Sequence, residues 1–283
     1  MAEIIDGKLV SKTVRENVKQ EIESFVKSGG ARPGLAVVLV GENPASKVYV
    51  RNKHKACLEV GIESYEILMD ENVTEDELLY KIDELNKDER VHGILVQLPL
   101  PKHIDEQAVI SRILPSKDVD AFHHENVGGI VTGYHTFLPC TPAGIVELLD
   151  FYNIEIASKE CVIIGRSNIV GKPMALLLLE RNGTVTVCHS KTKNLAELTR
   201  RADILVAAVG RPNFVKADMV KDGAVVIDVG INRTDDGKLV GDVDFDEVAP
   251  KASFITPVPG GVGPMTITML LKNAFTAAKN AKK

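Results

Sequence analysis

A tyrosine and a lysine four residues apart, Tyr49 and Lys53, form a chemically useful pair. On a helix this spacing places both side chains on one face, where the lysine ammonium can reach whatever the tyrosine ring covers. Arg51 and Lys55 add positive charge nearby. A lysine among other cations in a partly dry site loses its proton more readily, which suits a general base. The same spacing is common on ordinary helix surfaces, so the pair alone does not define a site.

Two further polar groups stand out downstream. Gln97 interrupts the apolar run 94–99, and a buried amide near the carboxyl end of a strand needs partners for its donors and its acceptor. Ligands bind at that edge of parallel sheets. Asp120 can accept two hydrogen bonds from an amino-pyrimidine edge, although Asp118 and Asp120 can equally cap turns. Spacing alone does not separate these two carboxylates.

The run His123-His124-Glu125 is a candidate metal-ligand group. No third ligand group follows it at a spacing typical of metal sites, so a polar loop is the simpler interpretation and we predict no metal. The cysteines are widely spaced and show no paired ligand pattern, which predicts reduced, mostly buried thiols. They are Cys57, Cys140, Cys161 and Cys188.

A glycine-containing turn follows the apolar segment 161–164. The run from Gly165 through Arg166 and Ser167 to Gly171 predicts a tight strand-to-helix turn, where a dinucleotide pyrophosphate can lie at the helix N-terminus. The middle glycines of the usual G-x-G-x-x-G pattern are replaced, so the motif alone is weak. A plain turn is the competing interpretation.

The end of the next predicted strand indicates which dinucleotide binds. NAD-binding folds carry an acidic residue there that accepts hydrogen bonds from the ribose hydroxyls, but this chain has the run 189–193, His-Ser-Lys-Thr-Lys. With Arg166, these cations and hydroxyls suit a 2′-phosphate and favour NADP over NAD. At least one of the lysines is expected to be simply solvated. Gly210 and Gly230 end two further strands, where we expect backbone contacts to the nicotinamide ribose.

The segment Pro259–Thr266 has three glycines between two prolines. Such a stiff loop can bring bare backbone against a ligand. It leads into residues 267–281, which contain neither glycine nor proline and predict a helix whose N-terminus attracts anions and polar groups. A simple turn is the alternative.

Alternating strands and helices must position these residues. A helical apolar repeat through residues 14–26 precedes strands at 35–40, 62–69 and 93–98, with a helix capped by Thr74 before the last strand. This βαβ series predicts a parallel sheet. The segment 138–142 breaks the pattern, and we expect Thr141 to cap a new helix there.

A second series of strands, at 161–164, 184–188, 204–209 and 224–229, predicts a nucleotide-binding fold. The predicted fold class is therefore α/β, with two domains flanking a cleft, the second being a Rossmann-like doubly wound parallel sheet. The first predicted domain spans 1–138 and is completed by a returning C-terminal helix, 264–283. The second spans 139–263.

Composition limits the partners. The chain has 283 residues, is 45% hydrophobic and carries a formal net charge of -5, so it can bury a core but has no basic excess. A nucleic acid or an anionic membrane surface is therefore not expected as a partner. The first residues lack a basic flank followed by an apolar core, and no long apolar span is found. We expect a cytoplasmic protein that binds small molecules.

Four motifs occur in one order: Tyr49-x-x-x-Lys53, Gly93-Ile-Leu-Val-Gln97-Leu-Pro-Leu-Pro101, Gly165-Arg-Ser-x-x-Val-Gly-x-Pro173 and Pro259-Gly-Gly-Val-Gly-Pro-Met-Thr266. Over nearly the whole chain, the sequence resembles the bifunctional methylenetetrahydrofolate dehydrogenase/methenyltetrahydrofolate cyclohydrolase family. The resemblance implies oxidation of 5,10-methylenetetrahydrofolate by NADP, then hydrolysis of the methenyl cation to 10-formyltetrahydrofolate. It places the chain in one-carbon metabolism and purine biosynthesis, as a homodimer formed through the cofactor domain.

The resemblance also implies individual roles, with four residues taken as catalytic. Lys53 is the base or proton shuttle of the water step, Tyr49 orients folate and Lys53, and Gln97 positions Lys53 and the reacting centre. Asp120 binds the pterin, and Leu98 belongs to the same substrate site. The loop residues assigned to folate are Pro259, Gly260 and Gly261, and those assigned to the cofactor are Gly165, Arg166, Ser167, Ser190 and Ile231.

Three other interpretations were weighed. A short-chain dehydrogenase also uses a Tyr-x-x-x-Lys pair with NADP, but its pair follows the glycine-rich loop, whereas Tyr49 precedes Gly165. A monofunctional dehydrogenase keeps similar motifs, although the intact pair of Lys53 and Gln97 favours both activities. A non-enzymatic NADP-sensing protein explains the Gly165 turn but leaves Lys53, Gln97 and the Pro259 loop without a purpose.

Overall fold

The computed structural model describes residues 2–234 and 237–281. The first residue of the predicted first domain and the last two of the predicted C-terminal helix lie outside the described residues. In chain order the elements are β1 (Glu3–Ile4), α1 (Gly7–Lys27), β2 (Gly34–Val40), α2 (Pro44–Val60), β3 (Glu63–Met69), α3 (Glu75–Lys87), β4 (Gly93–Val96), α4 (Glu106–Arg112), α5 (His124–Thr132), α6 (Cys140–Phe151), β5 (Glu160–Ile164), α7 (Gly171–Glu180), β6 (Thr184–Cys188), α8 (Leu195–Thr199), β7 (Ile204–Ala207), β8 (Val225–Asp228), β9 (Asn232–Arg233), β10 (Leu239–Val240), α9 (Phe245–Val248), β11 (Phe254–Ile255) and α10 (Val262–Asn280).

The chain divides into two compact units. The six-stranded unit combines the N-terminal residues up to Lys12 with Pro139–Thr266, and the three-stranded unit combines Thr13–Leu138 with the chain from Ile267 onwards. The predicted first domain, 1–138, therefore needs a correction for its first twelve residues. They group with the six-stranded unit because β1 pairs in parallel with β11. The second change of unit falls after Thr266, inside α10, rather than after residue 263.

The three-stranded unit is built on a parallel sheet of order β3-β2-β4. The central strand β2 is buried at every position, as expected when both faces of a parallel sheet are covered. The edge strand β3 is more exposed. The strand β4 ends at Val96, two residues earlier than predicted, so Gln97 and Leu98 lie just beyond its carboxyl end.

Helices of the three-stranded unit use the apolar and capping patterns of the sequence. Val14, Val18 and Ile22 lie on one face of α1 and are buried. The predicted capping box before α3 is present, because the Thr74 hydroxyl accepts the N–H of Glu77 and the Glu77 carboxylate accepts the N–H of Thr74. Together these features anchor the helices on the sheet.

The last part of α10 belongs to the three-stranded unit, as the predicted returning helix requires. The ring of Phe275 packs edge-to-face on Phe25 of α1, with 5.6 Å between centroids. Buried Asn273 donates from Nδ2 to the carbonyls of Val119 and Leu138, at 2.8 and 2.9 Å. One side chain therefore joins α10 to two connecting segments of the unit.

The six-stranded unit contains a parallel sheet of order β1-β11-β8-β7-β5-β6. The chain passes from β5 outwards to β6 and then crosses back to β7 on the other side of β5. This reversal creates a topological switch point between β5 and β7, and ligands of such sheets bind outside the carboxyl ends of those strands. The strand order is that of a 2-1-3-4-5 doubly wound sheet.

Helix α6 begins at Cys140, not after Thr141, so the predicted cap is wrong. The carbonyl of Pro139 already accepts the N–H of Ala143 and closes the first turn, because proline has a φ angle of -53°. The Thr141 hydroxyl instead bonds the Thr266 hydroxyl at 2.9 Å.

Across the described chain, no helix is both long enough and apolar enough to cross a bilayer.

We predict that Asn273→Ala destabilises the three-stranded unit. Two carbonyls lose their shared donor, which costs about 1–3 kcal/mol when acceptors are left unsatisfied. In a chain of this size that lowers the thermal midpoint by roughly 2–4 °C per kcal/mol, measurable by circular dichroism. The matched control is Asn280→Ala, at an exposed position of the same helix. Equal midpoints for the two variants would contradict the assignment.

Candidate active site

In the three-stranded unit, two of the predicted polar residues meet where α2 contacts the end of β4. The Nζ of Lys53 donates to the Oε1 of Gln97 at 2.9 Å. The Nε2 of Gln97 donates to the carbonyl of Leu98 at 2.7 Å, and the Gln97 N–H donates to Val38 at 2.8 Å. Because both ends of the amide are bonded, its oxygen is held toward the lysine. The structure thus brings together two of the predicted catalytic residues.

Tyr49 lies one turn before Lys53 on α2 and is 43% exposed, so its ring is open to a ligand. Lys53 itself is half-buried. One turn further on, Cys57 is fully buried, and burial raises the pKa of its thiol to about 12. A thiol held neutral is a poor nucleophile. The reactive groups of this face are therefore the tyrosine and the lysine.

The structure separates the two candidate carboxylates, which spacing could not do. Asp118 is 2% exposed and its Oδ2 accepts the N–H of His123 and the Nδ2 of Asn126, each at 2.8 Å. Burial raises its pKa. Asp118 therefore organises a turn. Asp120 is half-buried and lies in the segment that pairs with β4 through Ile94, so it runs toward the end of the strand where Gln97 lies.

The donor atoms of His123, His124 and Glu125 lie within 4.8 Å of one another. The Nδ1 of His123 accepts the backbone N–H of Glu125 at 3.2 Å and caps α5. The same ring also bonds the carbonyl of Ser111. The Nδ1 lone pair that accepts from the Glu125 N–H is not available to a metal. This bonding supports the interpretation of the run as a structured polar loop.

In the six-stranded unit, the Gly165 turn follows β5 at the switch point. A Cβ at Gly165 would overlap the carbonyl of Ala208, and one at Gly171 would overlap the carbonyl of Gly165. The Ser167 hydroxyl accepts the N–H groups of Val170 and Gly171 at 3.2 and 3.3 Å. Both acceptor positions of the oxygen are used, so its hydrogen is free to donate to a ligand oxygen. This bare turn fits a dinucleotide pyrophosphate.

The residues predicted to read the 2′-phosphate lie beside this turn in the sheet. Arg166 and Ser190 are both exposed, and they follow the neighbouring strands β5 and β6, whose carboxyl ends share one edge. The His189 Nδ1 accepts the N–H of Lys191 at 3.2 Å, which shapes the turn that presents Ser190. The arrangement places a cation and a hydroxyl at the edge that binds ligands.

The Pro259 loop follows β11 at the same edge of the six-stranded sheet. Gly260 has a φ angle of +113°, which favours glycine. The carbonyl of Gly261 leaves no room for a Cβ at Gly7, so the loop packs tightly on the start of α1. A Cβ at Gly263 would lie 3.6 Å from the Cδ1 of Ile231, a residue that is 50% exposed. The loop and the predicted nicotinamide contact are therefore neighbours.

Two buried carboxylates, Asp228 and Asp242, were not singled out as site residues from the sequence. Asp242 is fully buried and Asp228 is nearly so. They accept backbone N–H groups from the loops after β7 and β8. Burial raises the pKa of Asp228 to about 6, against the usual 3.8. Their sequence signal is an acidic residue within or beside an apolar stretch. This signal does not reveal which groups the carboxylate would bond.

The predicted residues thus form two groups, one in each unit. In the three-stranded unit, Lys53 and Gln97 are in contact, and the other members lie on the same helix or at the same strand end. In the six-stranded unit, the loops containing Gly165, Ser190, Ile231 and Pro259 share the carboxyl edge of the sheet. The fold and this edge define an α/β protein with a dinucleotide-binding domain.

Family comparisons give the same assignment. The NAD(P)-binding domain of tetrahydrofolate dehydrogenase/cyclohydrolase matches residues 139–282, and the catalytic domain of that enzyme matches residues 5–120. The chain belongs to the tetrahydrofolate dehydrogenase/cyclohydrolase family. This confirms the predicted family, its enzymatic nature and the nicotinamide dinucleotide cofactor.

Individual relatives agree over the full length. The curated bifunctional protein FolD of Acetivibrio thermocellus is 60% identical over 278 residues, which cover 98% of this chain and 97% of that protein. The structure of the bifunctional FolD methylenetetrahydrofolate dehydrogenase/cyclohydrolase of Campylobacter jejuni is 54% identical, with a TM-score of 0.97 and 99% of both chains covered. The Trypanosoma brucei dehydrogenase-cyclohydrolase, solved with NADP and an inhibitor, is 40% identical, with a TM-score of 0.94 and 98% and 97% covered. The predicted α/β fold is confirmed.

We predict that Asp228 titrates near pH 6. Because the folded pKa lies above the usual 3.8, the folded state holds this proton more tightly than the unfolded state. The stability that it contributes is present at low pH and is lost as the pH rises toward about 6. Carbon-13 NMR of aspartate-labelled protein, with the carboxyl signal assigned through the Asp228 amide, measures the midpoint. A midpoint near the usual value would show that burial does not dominate.

Proposed function

We propose that this chain oxidises 5,10-methylenetetrahydrofolate with NADP and then hydrolyses the methenyl product to 10-formyltetrahydrofolate. The family match supports both activities, and the Lys53–Gln97 contact is the observation that favours the water step in this chain. A dehydrogenase alone has no need for a lysine held against a bonded amide. The two reactions interconvert one-carbon units carried by tetrahydrofolate. We therefore propose that the protein acts in one-carbon metabolism and supplies purine biosynthesis.

Lys53 is proposed to move the proton in the water step. Its Nζ donates to the Gln97 oxygen, a neutral acceptor that orients the group. A lysine amine in its neutral form can take a proton from the attacking water. Gln97 is then the positioning residue, and its bond to Leu98 keeps the amide from rotating.

The folate is proposed to bind through Asp120, Tyr49 and the Pro259 loop. A carboxylate can accept two hydrogen bonds from the amino-pyrimidine edge of a pterin, and Asp118 is excluded from this role because its oxygens serve buried donors. The half-exposed Tyr49 ring offers an apolar face. Gly260 is half-buried and offers backbone without a side chain, while Gly261 is buried and packs on Thr256 and Pro257, which fixes the loop.

NADP is proposed to lie along the carboxyl edge of the six-stranded sheet and to supply the hydride acceptor. Gly165 lets the backbone approach the pyrophosphate, while Ser167 can donate its free hydroxyl hydrogen. Arg166 and Ser190 are proposed to bind the 2′-phosphate. Hydride transfer mainly requires that the donor and acceptor carbons are held close and aligned. Such positioning can lower the activation free energy by roughly 7 to 11 kcal/mol.

We further propose a cytoplasmic homodimer formed through the six-stranded unit. The strand β6 is an edge of its sheet, and Val187 on it and Leu179 on α7 are exposed apolar residues. A free edge with apolar neighbours suits pairing with a second copy. All four cysteines are free and buried, as expected in a reducing compartment.

Lys53→Met is predicted to abolish enzyme-accelerated opening of the methenyl compound, because methionine fills similar space without a proton-carrying group. The assay follows absorbance of methenyltetrahydrofolate added alone, and separately the reduction of NADP with 5,10-methylenetetrahydrofolate. Calorimetric NADP binding checks that the variant is folded.

The matched control is Lys27→Met, which removes an exposed lysine at the end of α1 in the same unit. It should open the methenyl compound at the normal rate. Near-normal opening by folded Lys53→Met would refute the role of Lys53. Reduction without accelerated opening in the unmodified protein would identify a monofunctional dehydrogenase, and binding of NADP without either reaction would identify a sensor.

Arg166→Gln is predicted to weaken NADP much more than NAD. A lost hydrogen bond between charged groups costs about 1.5–3 kcal/mol, or roughly tenfold or more in kcat/KM for NADP. The measurement is the ratio of kcat/KM for the two cofactors. Arg200→Gln serves as control, since that arginine bonds the Asp218 carbonyl instead. An unchanged ratio in Arg166→Gln would remove this residue from 2′-phosphate recognition.

A further inference from the structure

Asp242 lies fully buried among four donors. Its Oδ2 accepts the backbone N–H groups of Val209 and Gly210 at 2.6 and 3.0 Å. Its Oδ1 accepts the N–H of Arg211 and the Nδ2 of Asn232, both at 2.9 Å. A carboxylate offers about four acceptor positions, so this one is saturated. It holds three consecutive N–H groups of the loop after β7.

Asp228 continues the same network. Its Oδ1 accepts the N–H groups of Gly230 and Asp242, and its Oδ2 accepts that of Val243, each at 2.9 Å. The Asp228 N–H in turn donates to the Thr256 hydroxyl at 2.7 Å. Asp228 therefore fixes the backbone from which the Asp242 side chain extends. The loops after β7 and β8 are joined by two carboxylates.

Two glycines are matched to these carboxylates, Gly230 after β8 and Gly241 after β10. A Cβ at Gly241 would overlap the Asp228 carboxylate, and a Cβ at Gly230 would overlap that of Asp242. Ile231 lies between Gly230 and Asn232, both of which bond the network. The backbone of the residue proposed to contact the nicotinamide is thus held from both sides.

We infer that Asp242, supported by Asp228, is a positioning residue for the nicotinamide half of the cofactor. The inference rests on the proposed function. Asp242 has no acceptor position to spare for a ligand, and Asp228 is buried with three of its about four positions used, so both act through the loops at the carboxyl ends of β7 and β8. A displacement of about 1 Å in a reacting group can cost on the order of 100-fold in rate. Loops held by charged acceptors move less than loops held by neutral ones.

The test is Asp242→Asn, which keeps the side-chain shape but turns an amide donor toward backbone donors. Expected is a fall of about 10- to 100-fold in kcat for NADP reduction. Binding of adenosine 2′,5′-bisphosphate, which lacks the nicotinamide, should stay within about twofold by calorimetry, and so should methenyl opening, which depends on Lys53. Asn232→Ala removes only one donor and should give a smaller fall in the same direction.

Asp244→Asn is the matched control, because Asp244 lies two residues further on but caps α9 and pairs with Lys216. It should reduce NADP normally. Near-normal NADP reduction by Asn232→Ala and by folded Asp242→Asn would overturn the inference. Parallel loss of adenosine 2′,5′-bisphosphate binding and reduction would do the same, since it would show a general structural role. Absence of NADP reduction in the unmodified protein, with that ligand still bound, would instead overturn the proposed function on which the inference rests.

Discussion

All strands of the six-stranded sheet run in one direction, and this direction decides where the loops of the predicted cofactor site lie. In a parallel sheet the carboxyl ends of all strands lie at the same edge. The loops that follow the strands therefore lie at this edge too, here the loops after β5, β6, β7, β8 and β11. Motifs that lie nearly a hundred residues apart in the chain, such as those at Gly165 and Pro259, come to lie along the same edge of the sheet in this way. Glycines in these loops carry no side chain, so the backbone at this edge can approach a ligand closely.

The smaller sheet uses the same rule with a different result. Its edge presents Gln97 at the end of β4, and α2 lays Lys53 across it. Gln97 makes three bonds there: its backbone N–H continues the strand pairing with Val38, and its side-chain amide donates to the Leu98 carbonyl and accepts from the lysine. A polar side chain bonded at both ends adds specificity to an otherwise apolar strand end.

Much of this could be predicted from sequence, because periodicity and capping act locally. The burial of β2 and the cap at Thr74 follow from spacing and residue type, whereas the pairing of Lys53 with Gln97 was expected from the family resemblance. The partners of Asp242 could not be predicted, because three of the four are backbone groups of a distant loop. The grouping of the first twelve residues with the larger sheet could not be predicted either, because a two-residue strand such as β1 has no periodicity to detect.

The pairing of β1 with β11 has a consequence for biosynthesis. The strands of the three-stranded sheet lie within the first hundred residues, so this sheet can form while the chain is still being made. The strand β1 cannot pair until β11 has been translated. Such long-range pairing is slow to form. The residues of β1 therefore remain without their sheet partner while the segment between the two strands, including the whole three-stranded sheet, is made.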